Sequence, residues 1–211
     1  SKNRFGAVNE VGIFAMTTDG MREVSNPSAI FLSRGDQISP GSVVMVVFEG
    51  TRPLLVEAQA LVDDSVLANP RRVCVGFELN RLAMLLAVLH RHGGLHVSDQ
   101  DVFVNAVGGV RINETSSDLA LIFAVVSSFR DRSLARDLIV FGEIGLSGEI
   151  RPVPNGQERI KEAQKHGFKK AIVPSANTTH KVVSGIEVIG VSTLKEALEA
   201  ERIYKLSLIH I

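Results

Sequence analysis

The chain has one cysteine, no tryptophan, one tyrosine and no net charge, with 23 Lys and Arg balanced by 23 Asp and Glu over 211 residues. A single Cys74 excludes a disulfide framework within the chain and a zinc site built from several thiolates. Charge balance excludes a whole-surface attraction to nucleic acid or membrane, so a polyanion would have to meet a local patch. No apolar run approaches the roughly 18 residues of a membrane span, and no cationic-then-apolar leader opens the sequence, which points to a reduced, cytoplasmic setting without a membrane partner. A GxxxxGK[ST] loop is also missing, so the chain alone is not expected to hydrolyse ATP. Present instead are 45% hydrophobic residues, 18 glycines and ten phenylalanines. That is enough apolar material for one large domain or two small ones.

The charge is unevenly spread. Arg151, Arg159, Lys161, Lys165, Lys169, Lys170 and Lys181 face only Glu158 and Glu162 between residues 151 and 181. This stretch is the candidate basic patch.

Period-two patterning dominates the first part. Glu10 to Met16 and Met21 to Ser25 read as a hairpin around Thr17-Thr18-Asp19-Gly20, and Asn26-Pro27 as the start of a short helix. Ser42 to Glu49, Leu54 to Val62 and Arg72 to Phe77 read as strands. Leu82, Leu85, Leu86 and Leu89 then repeat at helical spacing over Leu79 to His92, with Gly93-Gly94 as a stop. From there strands and helices alternate. Strands are expected at Val102–Val107, Leu138–Phe141, Lys170–Val173 and Ile186–Val191, and helices at Ser117–Phe129, Asn155–His166 and Thr193 to about Arg202. Gly145 to Ile150 reads as a tight reversal. The expected fold class is α+β, strand-rich over 9–77 and alternating over 78–203, in one or two closely packed lobes. Residues 204–211 form an apolar tail that reads as a cloning scar and is assigned no function.

Several residues invite chemistry. His90 and His92 are two apart on a helix and face different directions, so with His96 they suit a solvated helix end better than a metal site. Cys74, between two valines, reads as a core residue. The segment Arg111 to Leu121, RINETSSDLAL, carries serines at a helix start, where free N–H groups and the dipole could serve a nucleophile and its oxyanion. The same residues are what ordinary helix capping selects.

The motifs then extend into a resemblance. GEIGLSGEIRPVP at 142–154 and HGFKKAIVP at 166–174 resemble the proteolytic domain of Lon proteases, a fold related to ribosomal S5 domain 2. In that family a serine in a D-G-P-S-A-G turn is paired with a lysine general base. Asn113 to Asp118 align with that turn, putting Ser116 on the nucleophile, while the base falls on Gln157. An amide cannot take the serine proton. Glu114 and Asp118 stand where the family has glycines, adding bulk and negative charge. The resemblance therefore implies a degenerate dyad with no catalytic residue, Lys161 being the one sequence-local rescue. Lys2-Asn3-Arg4-Phe5-Gly6 is similar to the K-N-R-F-G motif of the bacterial RadA/Sms family, in which it links an ATPase core to a Lon-like domain. Residues 1–8 are accordingly expected to be a linker from such a core and 9–203 the Lon-like domain, preceded in that fold by the strand-rich segment.

What this resemblance implies is a non-proteolytic domain from a bacterial DNA repair and recombination ATPase that processes branched DNA. It would assemble with itself into a hexameric ring and contact single-stranded or branched DNA, with recombinase or replication proteins as further partners. The seven basic residues of 151–181 are the DNA candidates. No cofactor is expected here; ATP, magnesium and zinc would belong to other parts of the parent. The rivals are a peptidase using Ser116 and a protein-interaction module that does not bind DNA.

Overall fold

The computed structural model describes residues 14–23, 32, 38–178 and 183–206. The Lys2–Gly6 motif, the Asn26-Pro27 helix start and Lys181 lie outside the described residues.

A short hairpin comes first. β1 (Phe14–Thr17) pairs antiparallel with β2 (Gly20–Glu23), so the connection is two residues, Thr18-Asp19, and not the four expected. Gly20 opens the return strand at a positive φ of 107°, which glycine adopts without Cβ strain. The main sheet is built from β3 (Ser42–Glu49), β4 (Arg52–Asp64), β5 (Arg72–Val75), β6 (Gln100–Ala106), β7 (Leu138–Val140), β10 (Lys170–Pro174) and β11 (Glu187–Val191), in the order β11-β10-β7-β3-β4-β6-β5. β8 (Glu143–Ile144) and β9 (Ile150–Arg151) form a small antiparallel pair around the expected reversal. The helices among the described residues are α1 (Leu79–Gly93), α2 (Asp118–Phe129), α3 (Gly156–Lys165) and α4 (Leu194–Leu206). α4 runs into the stretch read as a tail.

The sheet order joins the strand-rich and alternating stretches. β3 lies between β4, its antiparallel hairpin partner, and β7, its parallel neighbour at Val44↔Ile139. The strand-rich and alternating parts thus share one mixed sheet, with β3 and β4 inside it and β5 at its edge. Side-chain alternation along β3 explains why SVVMVVFE is almost continuously apolar. Val43, Met45 and Val47 enter a core with α1, α2 and α4, whereas Val44 and Val46 enter a second core with α3 on the opposite face.

α2 is the central helix, buried from Asp118 through Ser127. Each of its large side chains, such as Leu119, Ile122 and Phe123, contributes about 1.5–3 kcal/mol by leaving water. α1 buries the leucine stripe read from its sequence, and Gly94 at φ 69° ends it with its N–H on the Leu89 carbonyl. α3 is amphipathic: Gly156, Arg159, Ile160 and Ala163 face inward. That inward stripe contains an arginine, and the candidate site forms around it.

Candidate functional site

Ser116 sits in the turn Thr115–Ser117 that feeds α2 and is only 3% exposed. The turn is clamped to the end of β7: Gly142 donates its N–H to the Ser116 carbonyl at 2.9 Å, and Leu119 donates to the Gly142 carbonyl at 3.0 Å. Two further amides are engaged, Ser117 N–H with the Glu114 carbonyl at 3.5 Å and Asp118 N–H with the Thr115 carbonyl. The amides of Ser117, Asp118 and Leu119 thus already bond to protein acceptors.

The group next to the Ser116 hydroxyl is the guanidinium of Arg159, whose Nη1 donates to Oγ at 3.2 Å. Arg159 is 1% exposed and lies among the most buried large side chains. Its Nε donates to the Pro154 carbonyl at 3.0 Å and Nη1 to the Val46 carbonyl at 2.5 Å. Nη1 and Nη2 hold the two Glu114 carboxylate oxygens at 2.9 and 3.2 Å. The guanidinium also stacks over Phe48 at 4.8 Å and Phe141 at 5.9 Å. Glu114 in turn accepts the Phe48 N–H at 3.2 Å. One ion pair therefore ties β3, the turn before α2 and the start of α3 together. Arginine suits this position because its planar fork serves several acceptors while its faces stack on rings.

These distances change the role read for Arg159. Grouped by sequence with the DNA candidates, it is turned away from solvent, and every one of these contacts is internal. It cannot reach a phosphate without unpacking α3. It cannot act as a base either, since a guanidinium stays protonated and has no lone pair to accept with. Gln157, at the aligned base position, donates its Nε2 to the Asn177 carbonyl at 2.9 Å. Lys161 is exposed on the outer side of α3, whereas Ser116 is buried. The residue brought to the serine is thus Arg159, and neither Gln157 nor Lys161.

Asp118 is buried and forms a two-pronged pair with Arg81, whose Nε lies 3.0 Å from Oδ1 and whose Nη2 bonds Oδ2. It also accepts the Ile144 N–H at 3.0 Å. Desolvation pushes its carboxyl above the ordinary aspartate value, and the bonds from Arg81 and Ile144 only partly offset this. Glu114 and Asp118 are thus each met by an arginine distant in sequence. At the rim, Thr115 donates its hydroxyl to Glu143 at 2.6 Å, with Arg151 3.9 Å from the other carboxylate oxygen.

The remaining basic candidates are at the surface. Arg151, Lys161, Lys165 and Lys169 are exposed, and Lys170 is half-buried at the start of β10. Lys165 pairs with Glu162 at 3.7 Å. The amides of Lys169 and Lys170 both donate to the Asp137 carbonyl, at 3.0 and 3.1 Å, which joins this patch to the loop before β7. His90 and His96 meet edge to face, with ring centroids 4.2 Å apart. No group of three or more His, Cys, Asp and Glu able to hold a metal occurs among the described residues. Cys74 is half-buried against the α1 core, and burial, with Glu78 nearby, raises its thiol pKa, which disfavours a reactive thiolate. Among the described residues no helix is long and apolar enough to cross a membrane.

A family model described as subunit ChlI of Mg-chelatase matches residues 80–177, from α1 to the turn after β10. The curated relatives are more specific. The DNA repair protein RadA of Escherichia coli K12 is 71% identical over 93% of this chain, that of Pseudomonas aeruginosa PAO1 66% over 94%, and that of Bacillus subtilis 168 46% over 93%. The chain is a homologue of part of bacterial RadA. It spans 43% of the E. coli RadA and 44% of the P. aeruginosa one. The RadA homology covers both the serine turn and the α3 arginine, the residue that its sequence neighbourhood groups with the DNA candidates. The signal that could have found it was its spacing: position 159 falls on the stripe of Gly156, Ile160 and Ala163.

Proposed function

We propose that this chain is the non-proteolytic, Lon-like C-terminal part of a RadA-type DNA repair and recombination ATPase, serving ring assembly and DNA contact. The observation that carries the non-proteolytic half is the 3.2 Å hydrogen bond from the Arg159 guanidinium to the Ser116 hydroxyl. A serine nucleophile needs a neighbour that accepts its proton, and this neighbour only donates. The bonded amides of Ser117, Asp118 and Leu119 add to the case, because an oxyanion that used them would have to displace their acceptors.

DNA contact is supported by the exposed Lys161, Lys165 and Lys169 with the half-buried Lys170, a surface suited to phosphate contacts that give affinity without sequence preference. Ring assembly rests on the Lon-like resemblance, with heterologous contacts able to close a ring. ATP, magnesium and zinc belong in this reading to the rest of the parent protein, because this chain carries no GxxxxGK[ST] loop.

The test has two arms on the same preparation. Casein should stay intact, and fluorescein-labelled single-stranded DNA should show an anisotropy rise that weakens steeply with salt. Casein cleavage lost in Ser116→Ala would establish the peptidase instead. Intact casein with no anisotropy change at low salt would leave the interaction-module reading.

A further inference from the structure

Because side chains alternate along a strand, β4 sends Leu55, Glu57, Gln59, Leu61 and Asp63 to one face of the sheet. At the Leu55 end this face is a core, shared with Val44, Val46 and Ile160 of α3. Farther along it opens. Leu61 lies opposite Phe103 of β6 and Phe103 beside Val73 of β5, while Gln59, Asn105 and Val75 form the neighbouring row. Leu61 is 58% exposed and Val75 53%, and with Val73 and Phe103 they line a cavity of about 510 Å³. An adjoining cavity shares Pro40, Ala60 and Leu61 with it and is lined by Asp63, Asp64 and Asp131 and by no basic residue. The first cavity holds one side chain of each sign, Glu57 and Arg136. The open face is therefore apolar in its middle and acidic at the Asp63 end.

On the other side of the sheet, α1 carries the converse surface. Its leucine stripe is buried in the α1–α2–α4 core, and its outward positions are Leu79, Asn80, Ala83, Met84, Ala87 and His90. None of these is acidic or permanently charged, and Met84 is 41% exposed. Arg81, the one permanent charge before Arg91 on this helix, is committed to Asp118. A solvated helix face normally carries charges, and a helix apolar on both sides is one that is covered on both. Charge arrives at the end of α1, where His90, Arg91 and His92 follow one another, and the helix contains no Asp or Glu. Exposed apolar patches edged by charge mark contact surfaces.

We propose that α1 of one copy docks on the open β4–β6–β5 face of a second copy, with Met84 and Ala87 against Leu61, Val73 and Val75 and the Arg91 end of the helix toward Asp63 and Asp131. The proposal rests on the ring-assembly reading and names the two surfaces that would carry it. Three observations select a second copy as the occupant. A helix laid on this sheet face is how the chain already covers its other half, where α3 packs on Val44, Val46 and Leu55. The charges match, acid on the sheet and base on the helix, whereas a nucleic-acid backbone would meet those carboxylates as like charge. The two surfaces lie on opposite sides of the sheet and cannot meet within one chain. Each copy thus offers one surface to each neighbour, the head-to-tail contact that closes into a ring.

The experiment is sedimentation velocity of the 211-residue chain over a concentration series. It compares the wild type with a sheet-face variant, Leu61→Glu/Val75→Glu, and a helix-face variant, Met84→Glu/Ala87→Glu. All four side chains are exposed, so folding is expected to persist, and circular dichroism verifies it. The wild type should assemble as concentration rises, and each variant should sediment as a single chain. Mixed in equal amounts, the two variants should form a dimer that grows no further, because one retains the helix surface and the other the sheet surface. If both variants assemble like the wild type, these surfaces are wrong while the ring reading stands. If each is monomeric and their mixture is too, the surfaces do not bind each other and the proposal is overturned. A wild type that stays monomeric throughout sinks both. A charge exchange tests the same contact without touching its apolar part: Arg91→Glu should weaken assembly several-fold and Asp63→Lys on the same chain should restore it. Weakening without restoration overturns the pairing of these two ends.

Discussion

Removing the guanidinium of Arg159 should cost this fold a large part of its stability. Arg159→Met keeps an unbranched side chain of similar reach but deletes the donors to Val46, Pro154, Ser116 and Glu114. Breaking a buried ion pair by deleting one partner costs about 3–5 kcal/mol, and a buried carbonyl left without its donor about 1–3 kcal/mol. Glu114 stays 28% exposed and keeps the Phe48 N–H, which places the expected loss toward the lower end, about 3–4 kcal/mol. With a urea dependence of about 2 kcal/mol per molar, the unfolding midpoint falls by about 1.5–2 M. Arg159→Lys should recover little, because an ammonium cannot serve carbonyl and carboxylate acceptors on several sides while stacking on Phe48. Glu114→Gln, which keeps hydrogen bonding but loses the charge, should cost about 1–2 kcal/mol. Urea unfolding followed by far-ultraviolet circular dichroism reads all three. A midpoint shift below about 0.5 M for Arg159→Met would refute the claim that this pair locks three elements together.

Further outcomes follow from other buried polar groups. The Arg71 side chain and amide hold the Asp101 carboxyl down to about 2. A depressed carboxylate contributes stability that is fully present above its unfolded value, near 3.8, and is lost as pH falls through about 2. Carboxyl carbon chemical shifts should show that titration, and Arg71→Ala should move it upward; an unshifted Asp101 would contradict the pairing. Asp118→Leu should destabilise by about 2–4 kcal/mol, because Arg81 loses its counter-charge and the Ile144 N–H its acceptor; a neutral effect in urea unfolding would count against that arrangement. Gly41→Ala should lower the melting temperature. Its φ is +87° and an added Cβ would lie 2.2 Å from the Ala60 carbonyl oxygen, so an unchanged melting temperature would show that the β3 entry is not held this closely.

Most of the local structure was legible because the signals are local. The leucine spacing of α1, the β-branched run of β3 and the helix-start residues before α2 each specify an element within a few residues. The order of strands was not legible. β3 meets β7 through Val44 and Ile139, 95 positions apart, and no local pattern encodes that pairing. Ser116 could be found because a motif surrounds it. Its partner could not be found from charge counting, which treats every arginine as a surface cation. The periodicity of α3 does contain the exception, since Arg159 lies on the apolar stripe and must therefore have buried acceptors.

The central claim of the proposed function is that the Ser116 hydroxyl receives a hydrogen bond from a permanent cation, with no base in hydrogen-bond contact with it among the described residues. Labelling with a biotinylated fluorophosphonate between pH 6 and 9, followed by peptide mass spectrometry, tests this most directly. The account predicts an unmodified Ser116 peptide at every pH. A phosphonyl adduct on Ser116 that rises with pH and disappears in Ser116→Ala would contradict it.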